Sequence, residues 1–321
     1  MNINLDLRRA QDQSILVSLE WTPLVTRQVL QFPLWTPGSY TVRDPAQHLN
    51  SLELRSSAGV QPLQRLAPNR WLADLPDLSP LRLTYQLEAR DLTVRTAYLD
   101  SDFASLSPAA VVMEVEGFRW EQHILSLTIP DHWTGHCPLP STDSGWVASD
   151  FDALIDSPIH AGPFTASCFE VQGHRHELLL IGEPPHGWPA TFQADVERVC
   201  EATCLLMDTP PPAGDRYQLV IQMLDSGYGG LEHDHSSVLQ FNWAGLAKKD
   251  GYRQLLQLVG HEYLHQWNVR RLRPIEYRPY DYGRSIVSEG LWFAEGITSY
   301  FDLALPLIAG CSDRSMLLND L

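Results

Sequence analysis

His261-Glu262-Tyr263-Leu264-His265 lies within residues 252–269, a run whose Leu255, Leu256, Leu258, Val259 and Leu264 suit a buried helix. Helical residues four apart stand one above the other on one face. The two imidazoles are therefore placed to grip one zinc ion, with Glu262 beside them as general base. The competing reading is a surface helix that carries two histidines and a glutamate by coincidence. What lies farther along the chain favours the metal.

A catalytic zinc takes three protein ligands and keeps a fourth position open. Candidates for the third ligand are Glu276, Asp281, Glu289 and Glu295. Glu276 and Asp281 fall in a Pro- and Tyr-rich loop. Glu289 falls in the first turn of a helix, where the helix dipole alone accounts for a carboxylate. Glu295 sits among Leu291, Trp292, Phe293, Ala294, Ile297, Tyr300, Phe301 and Leu303, in a helix expected over 288–305 and stopped by Pro306. That helix reads as largely buried, and a buried carboxylate is costly unless paired or metal-bound. Glu295 is therefore the favoured ligand. Asp302, two turns on, is either an acceptor for a ligand histidine's ring N–H or an ordinary surface residue. Zinc in such a site lowers the pKa of its bound water to about 7. Glu262 then takes that water's proton and later passes it to the leaving amine.

Upstream, residues 1–165 read as a β-rich domain, sandwich- or saddle-like, and 166–321 as the catalytic domain, giving an α+β chain. Ile15, Val17, Leu19 and Trp21 alternate with polar or smaller residues, as do Leu81, Leu83, Tyr85 and Leu87, and later Leu125, Leu127 and Ile129. Leu34-Trp35-Thr36-Pro37-Gly38-Ser39-Tyr40 is either a ligand wall with an exposed Trp and Tyr or an aromatic-buttressed turn. Residues 151–158 read as an acidic and apolar connector before the domain boundary. A helix is expected over 193–207, with Cys200 and Cys204 as core thiols. Strands are expected at 217–224 and 237–243.

Between these strands, Gly227-Tyr228-Gly229-Gly230-Leu231-Glu232-His233 lacks the Gly-Lys-Ser/Thr of a phosphate loop. It better suits a backbone edge that a substrate can approach, with Glu232 facing a substrate's α-ammonium group. His233-Asp234-His235 is weak evidence for a metal site of its own. Arg270, Arg271 and Arg273 read as a solvated patch rather than as partners of substrate or of structural carboxylates.

The chain has 321 residues and a formal net charge of −16, which argues against nucleic-acid or anionic-membrane binding. The five cysteines are irregularly spaced, so no disulfide framework is implied. The N-terminus lacks signal-peptide character and no run is long enough to span a bilayer, so the expected location is cytoplasmic.

His261 to Val269, followed by Leu291-Trp292-Phe293-Ala294-Glu295-Gly296-Ile297-Thr298, resembles the glycyl aminopeptidase family of gluzincin metallopeptidases, often PDZ-containing. The stretches at 35–40, 151–158 and 229–233 match it too, in the same order. The resemblance implies a thermolysin-like catalytic domain and zinc-dependent removal of small N-terminal residues such as Gly or Ala from peptides with a free N-terminus. It carries His261, His265 and Glu295 over as ligands of one Zn²⁺ per chain, and Glu262 as the catalytic carboxylate. Glu232 takes the place of the glutamate in the Gly-Xaa-Met-Glu-Asn motif of related enzymes, although here the motif reads Gly-Gly-Leu-Glu-His. Gly229, Gly230 and Tyr300 join it as substrate-facing residues. Family members continue past a point equivalent to Leu321, so a C-terminally truncated chain is expected. The oxyanion donor then lies beyond it, with Tyr282 and Tyr300 as in-chain alternatives. The alternatives to an aminopeptidase are a zinc endopeptidase with the same site and a catalytically weak peptide-binding protein.

Overall fold

The computed structural model describes residues 1–39 and 41–321. Contacts divide the chain into two units, residues Met1–Pro163 with Tyr280–Ile286, and Phe164–Pro279 with Val287–Leu321. The fold is α+β, and the N-terminal part is β-rich.

Among the described residues, the first unit holds three sheets. The largest has eight strands, and its centre is built from the alternating segments. Ser14–Trp21 pairs antiparallel with Leu81–Glu88, Ile15 opposite Leu87 and Trp21 opposite Leu81. Ile15, Val17, Leu19, Leu83 and Tyr85 are fully buried, because side chains two apart share one face of a strand. Tyr85 is satisfied inside that core, donating to Val111 O at 2.9 Å and accepting from Met113 N at 3.2 Å.

One open reading resolves here and one expectation needs correction. Of the two readings of the stretch around Trp35, the observed one is the aromatic-buttressed turn, with Trp35 only 2% exposed. Its indole N–H donates to Asp281 O and Arg284 O at 3.0 and 2.9 Å, and its ring stands edge-on to Tyr280 at 5.5 Å. Leu34 N–H donates to Tyr282 O at 2.8 Å. These bonds hold Tyr280–Ile286 within the first unit. Tyr40, named beside Trp35, lies outside the described residues. The correction concerns 151–158, expected as a connector without regular structure of its own, which instead contains a short packed helix. Phe151–Ile155 is helical, Asp150 caps it by accepting from Ala153 N, and Phe151, Leu154 and Ile155 are buried.

The second unit is a five-stranded sheet with helices. Its strand order is Ser167–Val171, His174–Ile181, Arg216–Leu224, Ser236–Asn242 and Tyr228–Glu232. The middle three run parallel. Tyr228–Glu232 ends the sheet, antiparallel to Ser236–Asn242. Helices Phe192–Met207 and Gly251–Leu264 share one core with this sheet, including Val199, Cys200, Cys204, Leu219, Leu239, Leu255, Leu256 and Val259. Gly260 lets this layer close, since a Cβ there would stand 2.7 Å from the Leu305 side chain and 3.3 Å from that of Val199. No helix among the described residues is long and apolar enough to cross a membrane.

Candidate metal centre

Helix Gly251–Leu264 buries Leu255, Leu256, Leu258, Val259 and Leu264 and so fixes the rotation of His261 and Glu262. It ends five residues earlier than the apolar run suggests. His265 is its C-cap, but keeps helical dihedrals at φ −60° and ψ −14°, so the one-turn relation to His261 survives.

The Nε2 atoms of His261 and His265 lie 3.1 Å apart. Glu295 Oε2 is 3.5 Å from the first and 3.7 Å from the second. On the far side of the rings, His261 Nδ1 is 2.7 Å from Asp302 Oδ2 and His265 Nδ1 is 2.6 Å from Asn268 O. Both acceptors require a proton on Nδ1, which leaves a lone pair on each Nε2. Two lone pairs and a carboxylate oxygen then converge on one point, an arrangement that a shared proton or a metal cation relieves. Tetrahedral ligands about 2.0–2.1 Å from a zinc ion stand roughly 3.3 Å from one another. The observed spacings bracket that value, so the donor set fits the ion.

The electrostatics agree. Burial opposes a charge on either imidazole, but Asp302 and Glu295 outweigh it at His261 and raise its pKa to about 10. Glu232 and Glu295 do the same at His265, to about 9. At Glu295 burial opposes ionisation, yet the two histidines hold the carboxyl well below the usual range. A field that favours a proton on the rings also favours a metal cation between them.

Glu262 is 4% exposed and Glu232 is 3% exposed. Burial raises the pKa of Glu262 to about 7 against the pull of the two histidines. Gly230 makes room for it, since a Cβ there would lie 2.2 Å from Glu262 Oε1. The ligand atoms of Glu232, Glu262 and His265 lie within 4.8 Å of one another, as do those of His261, His265 and Glu295. Gly229, Gly230 and Glu232 all belong to the terminal strand of the sheet.

Several expectations fail here for identifiable reasons. Helix Leu291–Asp302 is not largely buried, since within it only Ala294 and Thr298 are. Pro306 does not stop it but lies in the first turn of Leu305–Ile308. Trp292 and Tyr300 are 71% and 62% exposed, and the Glu295 side chain is half exposed. Mean apolarity marked the helix as core although its outer face is uncovered in this structure. The arginines are not a solvated patch either. Arg270 is 3% exposed, and its Nε donates to Asp234 Oδ1 at 2.9 Å. Of the other ligand candidates, Glu276 accepts from Ser288 Oγ at 3.1 Å and Asp281 pairs with Arg284 at 2.8 Å.

Asn268 is a neighbour of the candidate centre that the sequence did not single out. Its carbonyl holds the His265 ring, while its Nδ2 reaches Phe293 O, Ala294 O and Thr298 Oγ1 at 3.1–3.2 Å. One residue thus joins the second histidine to the helix that carries Glu295. The available signal was a lone amide three residues past His265.

Residues 2–163 match the Peptidase M61 N-terminal domain, and residues 254–321 match M61 glycyl aminopeptidase. The chain belongs to the M61 peptidase family. It is also similar to the crystal structure of an aminopeptidase N family protein from Idiomarina loihiensis, at 30% identity and a TM-score of 0.91, covering 99% of this chain and 56% of that one. An M1 zinc metallopeptidase variant from Deinococcus radiodurans shares the fold at 11% identity and a TM-score of 0.56, covering 99% of this chain and 72% of that one. No curated protein matched significantly. The M61 chain described here thus spans little more than half the length of the first of these structures.

Proposed function

We propose that this M61 chain carries the zinc centre of an aminopeptidase acting on peptides with a small N-terminal residue such as Gly or Ala, in a thermolysin-like catalytic domain. The observation that carries the reading is the convergence of two Nε2 atoms and Glu295 Oε2 at spacings of 3.1–3.7 Å. His261, His265 and Glu295 would hold the metal, with Asp302 and the Asn268 carbonyl fixing the two rings. A zinc ion held there supplies Lewis acidity toward water and toward the scissile carbonyl.

The chain's own groups do the rest. Glu262, buried and with its pKa raised to about 7, is a base matched to neutral pH. It accepts a proton from the attacking water and returns it to the leaving amine. The edge strand Tyr228–Glu232 offers backbone for an extended substrate to pair with. Glu232, at the end of that strand, provides a buried negative charge for the α-ammonium. Tyr300, exposed and five residues past Glu295 on the same helix, is the remaining candidate for contact with substrate.

Glu232 separates exo- from endopeptidase action. In Glu232→Ala, kcat/KM on free-amine substrates should fall by about 10- to 100-fold, the worth of a charge-assisted contact of roughly 1.5–3 kcal/mol. Cleavage of N-blocked peptides should change little. Equal losses on both would favour an endopeptidase. Zinc bound without turnover, in this chain and in a longer one, would favour a peptide-binding protein.

A further inference from the structure

Glu232 and Glu262 are an unusual pair. Both side chains are more than nine-tenths buried, and both belong to the second ligand-forming group with His265. Glu232 Oε1 and Glu262 Oε2 are buried with no hydrogen-bond partner. Two carboxylates at close range out of water repel each other and lack solvation, so the pocket between them favours any cation that enters.

We propose that Glu232 and Glu262 form a second cation seat, which takes a further divalent ion when zinc is in excess. This rests on the reading above, in which Glu232, one half of this seat, receives the substrate's α-ammonium. His265 belongs to both groups, so with the first ion holding its ring the second keeps two carboxylate ligands and binds more weakly. An ion seated there occupies the ammonium's place and takes up the lone pairs of the general base. Excess zinc therefore inhibits, in competition with free-amine substrates.

Zinc binding to the chain, to Glu232→Gln and to Glu262→Gln is measured by equilibrium dialysis with elemental analysis over rising free zinc. The variants keep side-chain volume, and the tight centre reports that each is folded. All three should hold one tight equivalent. The wild type alone should take a second, weaker by about tenfold or more, a difference of at least 1.4 kcal/mol. Glycinamide, with its free ammonium, should displace the second equivalent, and N-acetylglycinamide should not. A wild type that stops at one equivalent, or variants that both retain the second, would overturn the seat and leave the tight centre standing. Loss of the second equivalent in the variants without displacement by glycinamide would support the seat and refute the ammonium reading. A wild type with no tight equivalent would overturn the zinc centre, and the seat defined against it.

Discussion

His261 and His265 are each held on Nδ1 by an acceptor of a different kind, a carboxylate at 2.7 Å and a main-chain carbonyl at 2.6 Å. The difference sets up a prediction at this scale. Asp302→Asn keeps the size of the acceptor but removes its charge, so His261 becomes a poorer donor to a metal. Zinc affinity, measured by chelator competition at fixed pH, should fall about 10- to 100-fold. An unchanged affinity would make Asp302 a bystander. Much of the candidate site's geometry was legible in the chain, because local rules govern it. The four-residue spacing of the histidines, a carboxylate amid apolar residues at 295, and Asp302 two turns beyond are all helical arithmetic. The burial of Arg270 and the two-sided role of Asn268 were not legible, since their partners lie 36 and 25–30 residues away.

Among elements, the contact that matters most joins the end of helix Gly251–Leu264 to helix Leu291–Asp302. Asn268 makes it, donating to two carbonyls and a hydroxyl. Asn268→Leu removes the donor and keeps the bulk. It should destabilise the fold by about 1–3 kcal/mol, the cost of buried polar groups left unpaired, read as a lower urea midpoint. Zinc affinity should fall as well, because Glu295 rides on the second helix. Full affinity at wild-type stability would contradict the proposed role. The same scale shows where periodicity misleads. Ile15 to Trp21 alternated and became a half-buried strand, as alternation requires. Leu291 to Phe301 read as core by apolarity, yet Trp292 and Tyr300 face outward. Composition counts apolar residues without saying whether another element covers them.

Across the whole molecule, pH acts on stability in two opposite windows. Burial lowers the pKa of His176 to about 4, and its Nε2 is 2.8 Å from the Tyr263 hydroxyl. In the unfolded chain an imidazole protonates near 6.5. Between those values the unfolded state binds more protons, so stability is complete above about pH 6.5 and falls as the pH drops toward 4. The loss attributable to this one group is about 3 kcal/mol, and His176→Gln should flatten that limb of the denaturation profile. His261 and His265, with raised values of about 10 and 9, behave in reverse. With zinc removed by chelation, their contribution is complete below about pH 6.5 and is lost as the pH climbs through 9 to 10. A profile flat from pH 4 to 7 would refute the neutral, buried state of His176. The role of Trp35 also belongs to this scale. The indole binds carbonyls 246 and 249 residues away, a distance over which no local pattern carries information.

The account stands on one cation gripped by His261 Nε2, His265 Nε2 and Glu295 Oε2. Anomalous diffraction at the zinc edge, from crystals grown with one equivalent of zinc, tests it most directly. The predicted result is a single strong peak about 2.0–2.2 Å from each of those three atoms, with Glu262 in reach of the open position but unbound. A peak that leaves Glu295 uncoordinated, or no peak between the two imidazoles, would contradict it.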